Sequence, residues 1–138
     1  MKFHSLVLWA IFPIFLGGCA QPNSQILAGG NQVKLRSIQT KSFDTNEKNI
    51  VVRNVIATLQ DLNFVIDQAD ADLGTVSATK LSGYQIRMTV TVRPKSAEQM
   101  LVRASAQYNL TAIEDPEVYQ NFFSALSKSL FLEANDVE

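Results

Sequence analysis

The segment "YQIRMTVTVR", residues 84–93, alternates apolar and polar side chains over most of its length. Successive side chains of a β-strand point to opposite faces, so this alternation predicts a strand with one apolar face and one polar face. Such strands are typical of an antiparallel sheet that packs against a core on one side and meets water on the other. The apolar face carries Ile86, Met88, Val90 and Val92, and the polar face carries Arg87, Thr89, Thr91 and Arg93.

Strand patterns flank this segment on both sides. Downstream, the turn sequence "PKSAE" leads into "QMLVRASAQYNL", residues 99–110, which alternates in the same way. Upstream, Ser82-Gly83 predicts a two-residue hairpin turn after the strand at residues 75–81, and "FVID", residues 64–67, predicts a further strand. The strand at 99–110 is expected to direct one set of residues toward the core: Val102, Ala104, Ala106, Tyr108 and Leu110. Its outward-facing set is Arg103, Ser105, Gln107 and Asn109.

Two segments with apolar residues at helical spacing predict helices that each bury one stripe. The first begins at Asp44, which forms a capping-box pattern with Glu47 (Thr45 is the alternative cap), and it ends at Asn63 in a left-handed conformation. The second begins at residues 115–116, where an aspartate N-cap is followed by proline. The expected stripes are Val52, Val55, Ile56, Leu59 and Leu62 in the first helix, and Tyr119, Phe122, Phe123, Leu126 and Leu130 in the second.

The aromatic residues of the second helix are expected mainly in the core, with a ligand pocket or a partner surface as the alternative. They are Tyr119, Phe122, Phe123 and Phe131. Because Phe131 lies near the end of the helix, we expect it to be the most exposed of the four.

The segment before the first helix completes the predicted fold. Residues 33–44 predict the first strand, because Val33, Leu35 and Phe43 alternate with basic residues. Residues 21–32 are rich in glycine, glutamine and asparagine and predict a tether. The predicted fold class is therefore α+β: a two-layer arrangement in which an antiparallel sheet of four to five strands carries two helices on one face, in the order β-α-β-β-β-β-α.

The N-terminal residues 1–18 have the features of a secretory signal. A short basic start precedes an apolar run over residues 6–16, and small residues follow. The run has about half the length that a membrane-spanning helix needs, so it predicts a cleaved signal. Residues 16–19, Leu16-Gly17-Gly18-Cys19, then resemble the lipobox of bacterial lipoproteins; a plain signal peptide or a buried free cysteine is the alternative.

The lipobox resemblance implies that Cys19 becomes the first mature residue and carries a thioether-linked diacylglycerol and an N-acyl chain. A single acyl chain binds membranes only marginally, and stable anchoring needs a second one. In lipoproteins of didermal bacteria an aspartate after the cysteine favours retention in the inner membrane, so Ala20 implies the outer membrane, with the protein facing the periplasm. The predicted organisation is a signal peptide at 1–18, a lipidated tether at 19–32 and a single α+β domain at 33–138.

The residue inventory argues against catalysis and against nucleic-acid binding. The chain contains one histidine, His4, which is expected to leave with the signal, and one cysteine, Cys19, which the lipobox resemblance implies is lipidated. The mature part thus lacks the side chains that most often act as general base, thiol nucleophile or metal ligand. Loss of Lys2 changes the formal net charge from −1 to −2, whereas a nucleic-acid-binding domain is usually basic. We predict a non-enzymatic protein with no cofactor besides its covalent lipid, no metal and no nucleic-acid partner.

Three aspartates in "DQADADLG" invite a calcium interpretation. An EF-hand loop places oxygen ligands at alternate positions and closes with a glutamate eleven residues after the first. Only Asp70 and Asp72 alternate here, Asp67 falls outside that spacing, and the closing position is Leu81. The segment therefore predicts a solvated turn.

The polar face of the predicted sheet is the candidate partner surface. It carries Arg87, Arg93 and Arg103 together with Thr89 and Thr91. Solubility alone accounts for such residues on an open sheet face. The functional alternative is a flat polar docking surface for a protein or for anionic lipid.

The predicted order of elements resembles the helix-grip domains of BamC-type outer-membrane lipoproteins. Residues 44–81, a capped helix followed by "LNFVIDQADADLGTVSATK", are the most similar part, about a third of the chain. BamC-type proteins carry two such domains after a longer unstructured start, whereas one domain and a short tether are predicted here. The resemblance implies an accessory or scaffold subunit of a cell-envelope complex that serves barrel assembly, lipopolysaccharide export, secretion or efflux.

A different function is a module that holds a small amphiphile or lipid between sheet and helices, as some helix-grip folds do. The small side chains of Ala104 and Ala106 either admit close helix packing or leave a pocket above the sheet. A cavity of several hundred Å³ favours the binding module.

Overall fold

The computed structural model describes residues 24–81 and 85–135 (the backbone alone for residues 24–29), and it contains an antiparallel sheet and three helices in these ranges. The helices are α1 (Ser24–Ile38), α2 (Lys48–Asp61) and α3 (Pro116–Asn135). The strands are β1 (Thr40–Phe43), β2 (Val65–Asp70), β3 (Thr75–Leu81), β4 (Gln85–Pro94), β5 (Met100–Tyr108) and β6 (Thr111–Ala112). Their order across the sheet is β1-β5-β4-β3-β2, and the two-residue strand β6 pairs with β5 beyond the end of β1.

The α+β, two-layer fold class is confirmed. Each strand pair is antiparallel, and α2 and α3 cover the inward face of the sheet. The order from β1 through α2 and the strands β2 to β5 to α3 is the predicted one. The structure adds the helix α1 before it and the short strand β6 near its end, so the described residues form six strands and three helices.

The core lies between the inward face of β3, β4 and β5 and the helices α2 and α3. Ile86 is partly buried, and six further residues predicted to face inward on β4 and β5 are almost completely buried, at 0–3% exposed: Met88, Val90, Val92, Val102, Ala104 and Ala106. Burial of each large apolar side chain contributes roughly 1.5–3 kcal/mol to stability. The alternation read from residues 84–93 therefore identifies the inward face correctly.

The end of β5 departs from the predicted alternation. Tyr108 is 45% exposed and Leu110 is 95% exposed, although both were expected to face the core. The cause is a turn at Asn109, whose φ of 53° takes the chain out of β5 and into β6. Leu110 consequently stands on the surface of the turn.

The helix α2 begins at Lys48, four residues after the predicted start. The capping box between Asp44 and Glu47 is absent, because Glu47 occupies the N-cap position without a capping side-chain hydrogen bond. The Thr45 hydroxyl accepts a hydrogen bond from the Glu47 N–H at 3.2 Å, and the Asp44 carboxylate instead accepts one from the Gln99 amide at 2.6 Å. Asp44 therefore joins β1 to the β4–β5 turn.

The other end of α2 is as predicted. Asn63 has a φ of 65°, the left-handed conformation expected there. The Asn63 N–H donates to the Gln60 carbonyl and the Phe64 N–H donates to the Leu59 carbonyl, both at 2.9 Å, which is a Schellman ending. Phe64 is 8% exposed and packs into the core directly after the turn.

Both predicted helix stripes face the core. In α2, Val52, Val55 and Leu59 are buried and Ile56 and Leu62 are partly buried. In α3 the buried set is Tyr119, Phe122, Phe123 and Leu126, with Leu130 partly buried. Phe131 is 66% exposed, as its position near the helix end predicts.

The predicted first strand is wrong over residues 33–38, which belong to α1, and correct over Thr40–Phe43. Val33 and Leu35 are two residues apart, which suits a strand, but Leu35 and Ile38 are three apart, which suits a helix face equally well. The packing selects the helix: Leu35 and Ile38 pack against the core, whereas Val33 is 69% exposed. The segment predicted as a tether is helical from Ser24 onward, and its division from a domain at residue 33 stays a prediction.

The connection between β3 and β4 differs from the predicted two-residue hairpin. Leu81 pairs with Gln85, so three residues separate the paired positions. The predicted turn at Ser82-Gly83 lies outside the described residues. The register still keeps Arg87 on the outward face, opposite Thr79.

The Tyr119 hydroxyl closes a gap in the sheet edge. Between β1 and β6 no strand pairs with β5, and the Ala106 N–H of that stretch donates to the Tyr119 hydroxyl at 3.2 Å. The same hydroxyl accepts from the Gln39 amide at 3.1 Å and donates to the Ile113 carbonyl at 2.6 Å. Tyr119 is fully buried, so these polar groups have one another in place of water.

We expect Tyr119→Phe to lower the free energy of unfolding by roughly 1–3 kcal/mol, since it leaves buried donors and an acceptor without their common partner. Urea denaturation measures this loss. Phe122→Tyr, on the same helix face, adds a hydroxyl where the core is apolar and tests whether the effect is specific to the network around Tyr119. An unchanged denaturation midpoint for Tyr119→Phe would show that the network contributes nothing.

Candidate docking surface

The three predicted surface arginines all lie on the outward face of the sheet and are all exposed, but the structure brings only two of them together. On this face Arg93 is opposite Leu101 and Arg103 is opposite Thr91, so the two arginines are diagonal neighbours on β4 and β5. Arg87 is six residues from Arg93 along β4, which corresponds to about 20 Å. Thr89 and Thr91 lie between these ends and are partly buried.

Arg93, Arg103 and Lys95 form the group that we call the entry cluster, because it lies where the chain first joins the sheet. Thr40, two residues after the end of α1, is opposite Arg103. The Lys95 ammonium donates to the Ser42 hydroxyl at 2.9 Å, which places its charge over β1. Three cations therefore share one corner of the outward face.

Within residues 24–81 and 85–135, no carboxylate forms an ion pair with the entry cluster. Among the described residues the single ion pair joins Arg53 and Glu133, on the helical side of the molecule. Of the acids near the β4–β5 turn, Glu98 is in the turn itself, and Asp44 accepts the Gln99 amide described above. The positive charge at this corner is thus left for solvent or for an external partner.

At the other end of β4, Arg87 lines a shallow cleft of about 270 Å³, which we call the Arg87 cleft. Its other lining residues are Gln85, Gln107, Asn109 and Leu110. The side chains of Gln85, Arg87, Gln107 and Asn109 make no hydrogen bond or ion pair to another described residue. The cleft therefore combines a free guanidinium, three free amides and an exposed leucine.

The aspartate segment forms the predicted turn only over residues 71–74, because β2 runs three residues further than predicted and includes Asp67 and Asp70. The Thr79 hydroxyl donates to the Asp67 carboxylate at 2.6 Å, and the Leu73 N–H donates to the Asp70 carboxylate at 2.8 Å. The Asp72 carbonyl accepts the Lys48 ammonium, which ties the turn to the start of α2. Across residues 24–81 and 85–135, no cluster of three or more His, Cys, Asp or Glu residues is arranged to hold a metal ion.

Ser77 and Lys80 have the S-x-x-K spacing of some acyl-transfer enzymes, but they lie on opposite faces of β3. The Lys80 ammonium lies 5.7 Å from the centre of the Phe64 ring on the helical side. The lysine is therefore not positioned to activate this serine.

A second opening lies on the helical side, between the end of β1 and the facing parts of α2 and α3. This groove has a volume of about 530 Å³, and its apolar lining includes Phe43, Ile50, Leu130, Phe131 and Ala134. It is not the pocket expected above Ala104 and Ala106. Those alanines are covered, because their small side chains let the Tyr119 hydroxyl reach the sheet backbone.

A polar network beside this groove was missed from the sequence. Asn54 is 4% exposed; its amide donates to the Glu133 carboxylate and to the Ile50 carbonyl, and it accepts the Ser129 hydroxyl at 2.5 Å. Arg53 bonds the other Glu133 oxygen at 3.2 Å. The sequence did contain a signal for this network: the polar Asn54 lies next to the buried stripe of α2, and Ser129 and Glu133 lie one helical turn apart on α3.

Cys19 and the rest of the lipobox lie outside the described residues, so the lipidation site stays a prediction. No protein-family model matches the chain, and no curated protein matches its sequence. Within the ranges described, none of the helices combines the length and the apolar character that crossing a bilayer requires.

Proposed function

We propose that the protein is a lipid-anchored lipoprotein of the outer membrane that faces the periplasm and acts as a non-enzymatic accessory or scaffold subunit of a cell-envelope complex. The observation that carries this proposal is the sequence Leu16-Gly17-Gly18-Cys19 directly after a short apolar run. Acylation of Cys19 would confine the folded part to the membrane surface, where subunits of barrel assembly, lipopolysaccharide export, secretion or efflux complexes meet.

The Arg87 cleft is the part of the outward face best suited to a protein partner. Arginine is enriched at protein interfaces, and free amides offer both donors and acceptors to a peptide backbone. Leu110, 95% exposed at the rim, supplies an apolar contact beside them. We propose that Arg87 anchors the partner through this cleft.

We expect Arg87→Glu to reduce binding of the partner complex about 30-fold, which corresponds to the 2 kcal/mol or more that an anchoring arginine contributes. Crosslinking in intact envelopes, followed by purification of the tagged lipoprotein, identifies the partner and measures the loss. Stability should change by less than about 0.5 kcal/mol, because Arg87 is exposed and its side chain has no hydrogen-bond or ion-pair partner among the described residues.

Lys128→Glu is the matched control for this variant. Lys128 is exposed on α3, on the opposite layer, and the substitution changes the net charge by the same amount. Equal recovery of the complex with wild-type protein and with Arg87→Glu would remove the cleft from the proposal and direct attention to Phe131 and the helix ends.

The 530 Å³ groove favours a second function, the binding of a small amphiphile. Its volume is within the range of small-molecule sites, and its apolar floor suits a single aliphatic chain. The Arg53–Glu133 pair and the Ser127 hydroxyl at its lining offer polar contacts for a head group. Solvent extraction of the purified protein, followed by mass spectrometry, distinguishes the two functions, since only a binding module retains an amphiphile besides the lipid on Cys19.

A further inference from the structure

The charges on the outward face of the sheet are distributed unevenly. Outward positions on β1, β5 and β4 carry three arginines and no carboxylate, although the chain as a whole has a net charge of −1. The acids of this face, Asp67 and Asp70, lie on β2 at the far edge of the sheet. The face therefore has a positive corner and a negative edge.

The entry cluster occupies the positive corner, and the chain from Cys19 arrives at the same place. The helix α1 has 15 residues, about 22 Å, and the five steps of chain from Cys19 to Ser24 add at most about 18 Å. After α1, only Gln39 separates its end from Thr40, which is opposite Arg103. An acylated Cys19 would therefore hold the cluster within about 50 Å of the lipid surface.

More positive charge lies around this point of entry. Lys34 and Arg36 are exposed near the end of α1. At the centre of the cluster, Leu101 is partly buried and is opposite both Arg93 and Ser42. A flat sheet face with cations around an apolar centre fits a plane of anionic groups better than it fits a single small anion.

We propose that Arg93, Lys95 and Arg103 bind the phosphate groups of an anionic phospholipid surface, so that this corner of the sheet lies against the bilayer that holds the anchor. The inference rests on the proposed lipid anchor at Cys19. It divides the outward face into two parts: the entry cluster meets the membrane, and the Arg87 cleft stays open to a protein partner. Each basic side chain near an anionic surface improves binding by about fivefold.

The test uses the full chain, purified from membranes and inserted into vesicles. Ser105→Cys provides an attachment site for a fluorophore on the outward face, two residues from Arg103 on β5. Ala57→Cys provides the comparison site on the exposed side of α2. One label per chain indicates that the Cys19 sulfur is blocked by the lipid, and two labels indicate that it is free. The number of labels therefore detects failure of the lipid anchor separately from failure of the entry cluster to bind the membrane.

The vesicles contain either phosphatidylethanolamine with phosphatidylglycerol or phosphatidylcholine alone, each with a head-group quencher. We expect quenching at position 105, and not at position 57, on the anionic vesicles only, and we expect high salt to remove it. The double variant Arg93→Gln, Arg103→Gln should lower the ratio of molecules whose sheet lies against the membrane to molecules whose sheet does not by about 30-fold. Lys128→Glu changes the net charge by the same amount and should leave the quenching unchanged.

Three results would overturn the inference. The first is equal quenching at position 105 on anionic and neutral vesicles. The second is an equal effect of Lys128→Glu and of the double arginine variant, which would assign the response to net charge and not to the entry cluster. Loss of a co-purified protein with unchanged quenching in the double variant would likewise assign the cluster to a protein partner.

Discussion

Cells that express Cys19→Ala are expected to accumulate an unprocessed precursor that incorporates no acyl label. On the lipobox resemblance the cysteine sulfur is the atom that receives diacylglycerol, and alanine offers no nucleophile at that position. Cleavage after Gly18 depends on that modification in bacterial lipoproteins, so the precursor should keep residues 1–18. Metabolic labelling with a radioactive fatty acid and the mobility of the protein on a gel measure both effects.

The consequence for localisation should also be large. Each buried CH₂ of an acyl chain contributes about 0.8 kcal/mol to membrane binding, so loss of the lipid removes most of the affinity of the mature protein for the membrane. Asn23→Ala is the matched control, because it lies four residues after the cysteine, outside the motif. Normal processing and acyl labelling of Cys19→Ala would reject the lipoprotein assignment, and with it the proposed function.

The sequence predicts the two-layer fold because its long segments have a single periodicity. Over residues 84–93 the alternation of period two continues for the whole strand, and a helical reading would place arginines among the core residues. The stripe of α2 and its left-handed ending at Asn63 are equally free of competing interpretations. Such segments were predicted correctly.

Short segments leave the choice to packing. Residues 33–38 support a strand or a helix, and the contact of Leu35 and Ile38 with the core selects the helix. Tertiary contacts decide such cases more strongly than local preference does. Asp44 shows the same effect, because its carboxylate bonds Gln99, which is 55 residues away, instead of capping α2.

The sequence predicts which residues lie on the candidate surface but not how they are arranged relative to one another. The alternation on β4 and β5 indicates that the three arginines face outward, which the structure bears out. Which of them are neighbours depends on the register between strands, and the register fixes Arg93 beside Arg103 with Arg87 far from both. The network of Asn54, Ser129 and Glu133 was missed for the same reason, since it joins two helices that are distant in sequence.

Replacement of Gly74 by alanine is expected to be among the most destabilising small changes in the chain. Gly74 has a φ of 70° in the turn between β2 and β3, a conformation that residues with a Cβ adopt only at a cost. It is also buried, and its carbonyl accepts the Val92 N–H at 2.7 Å, which extends the pairing of β3 with β4 by one position. The backbone of β4 therefore passes directly over this glycine.

A Cβ at position 74 would overlap the carbonyl oxygen of Val92 and would come within 2.9 Å of the Lys48 side chain. The lysine can move, but the Val92 carbonyl belongs to a central strand whose neighbouring side chains are buried in the core. Relief of the overlap thus requires either separation of β3 from β4 or a change in φ, which would break the hydrogen bond to Val92. We expect Gly74→Ala to lower the free energy of unfolding by about 3 kcal/mol or more, as the strained backbone and the overpacking add.

Gly30→Ala is a matched control because it makes the same chemical change where nothing opposes it. Gly30 lies within α1, and a Cβ built there meets no atom within 4 Å. Alanine favours a helix over glycine by up to about 1 kcal/mol, so this variant should be as stable as the wild type or slightly more stable. Urea denaturation of both variants under the same conditions measures the contrast. Equal midpoints would mean that the close approach of Gly74 to β4 does not exist in solution, and the register of β3 with β4 that places Arg87 on the outward face would then need to be determined again.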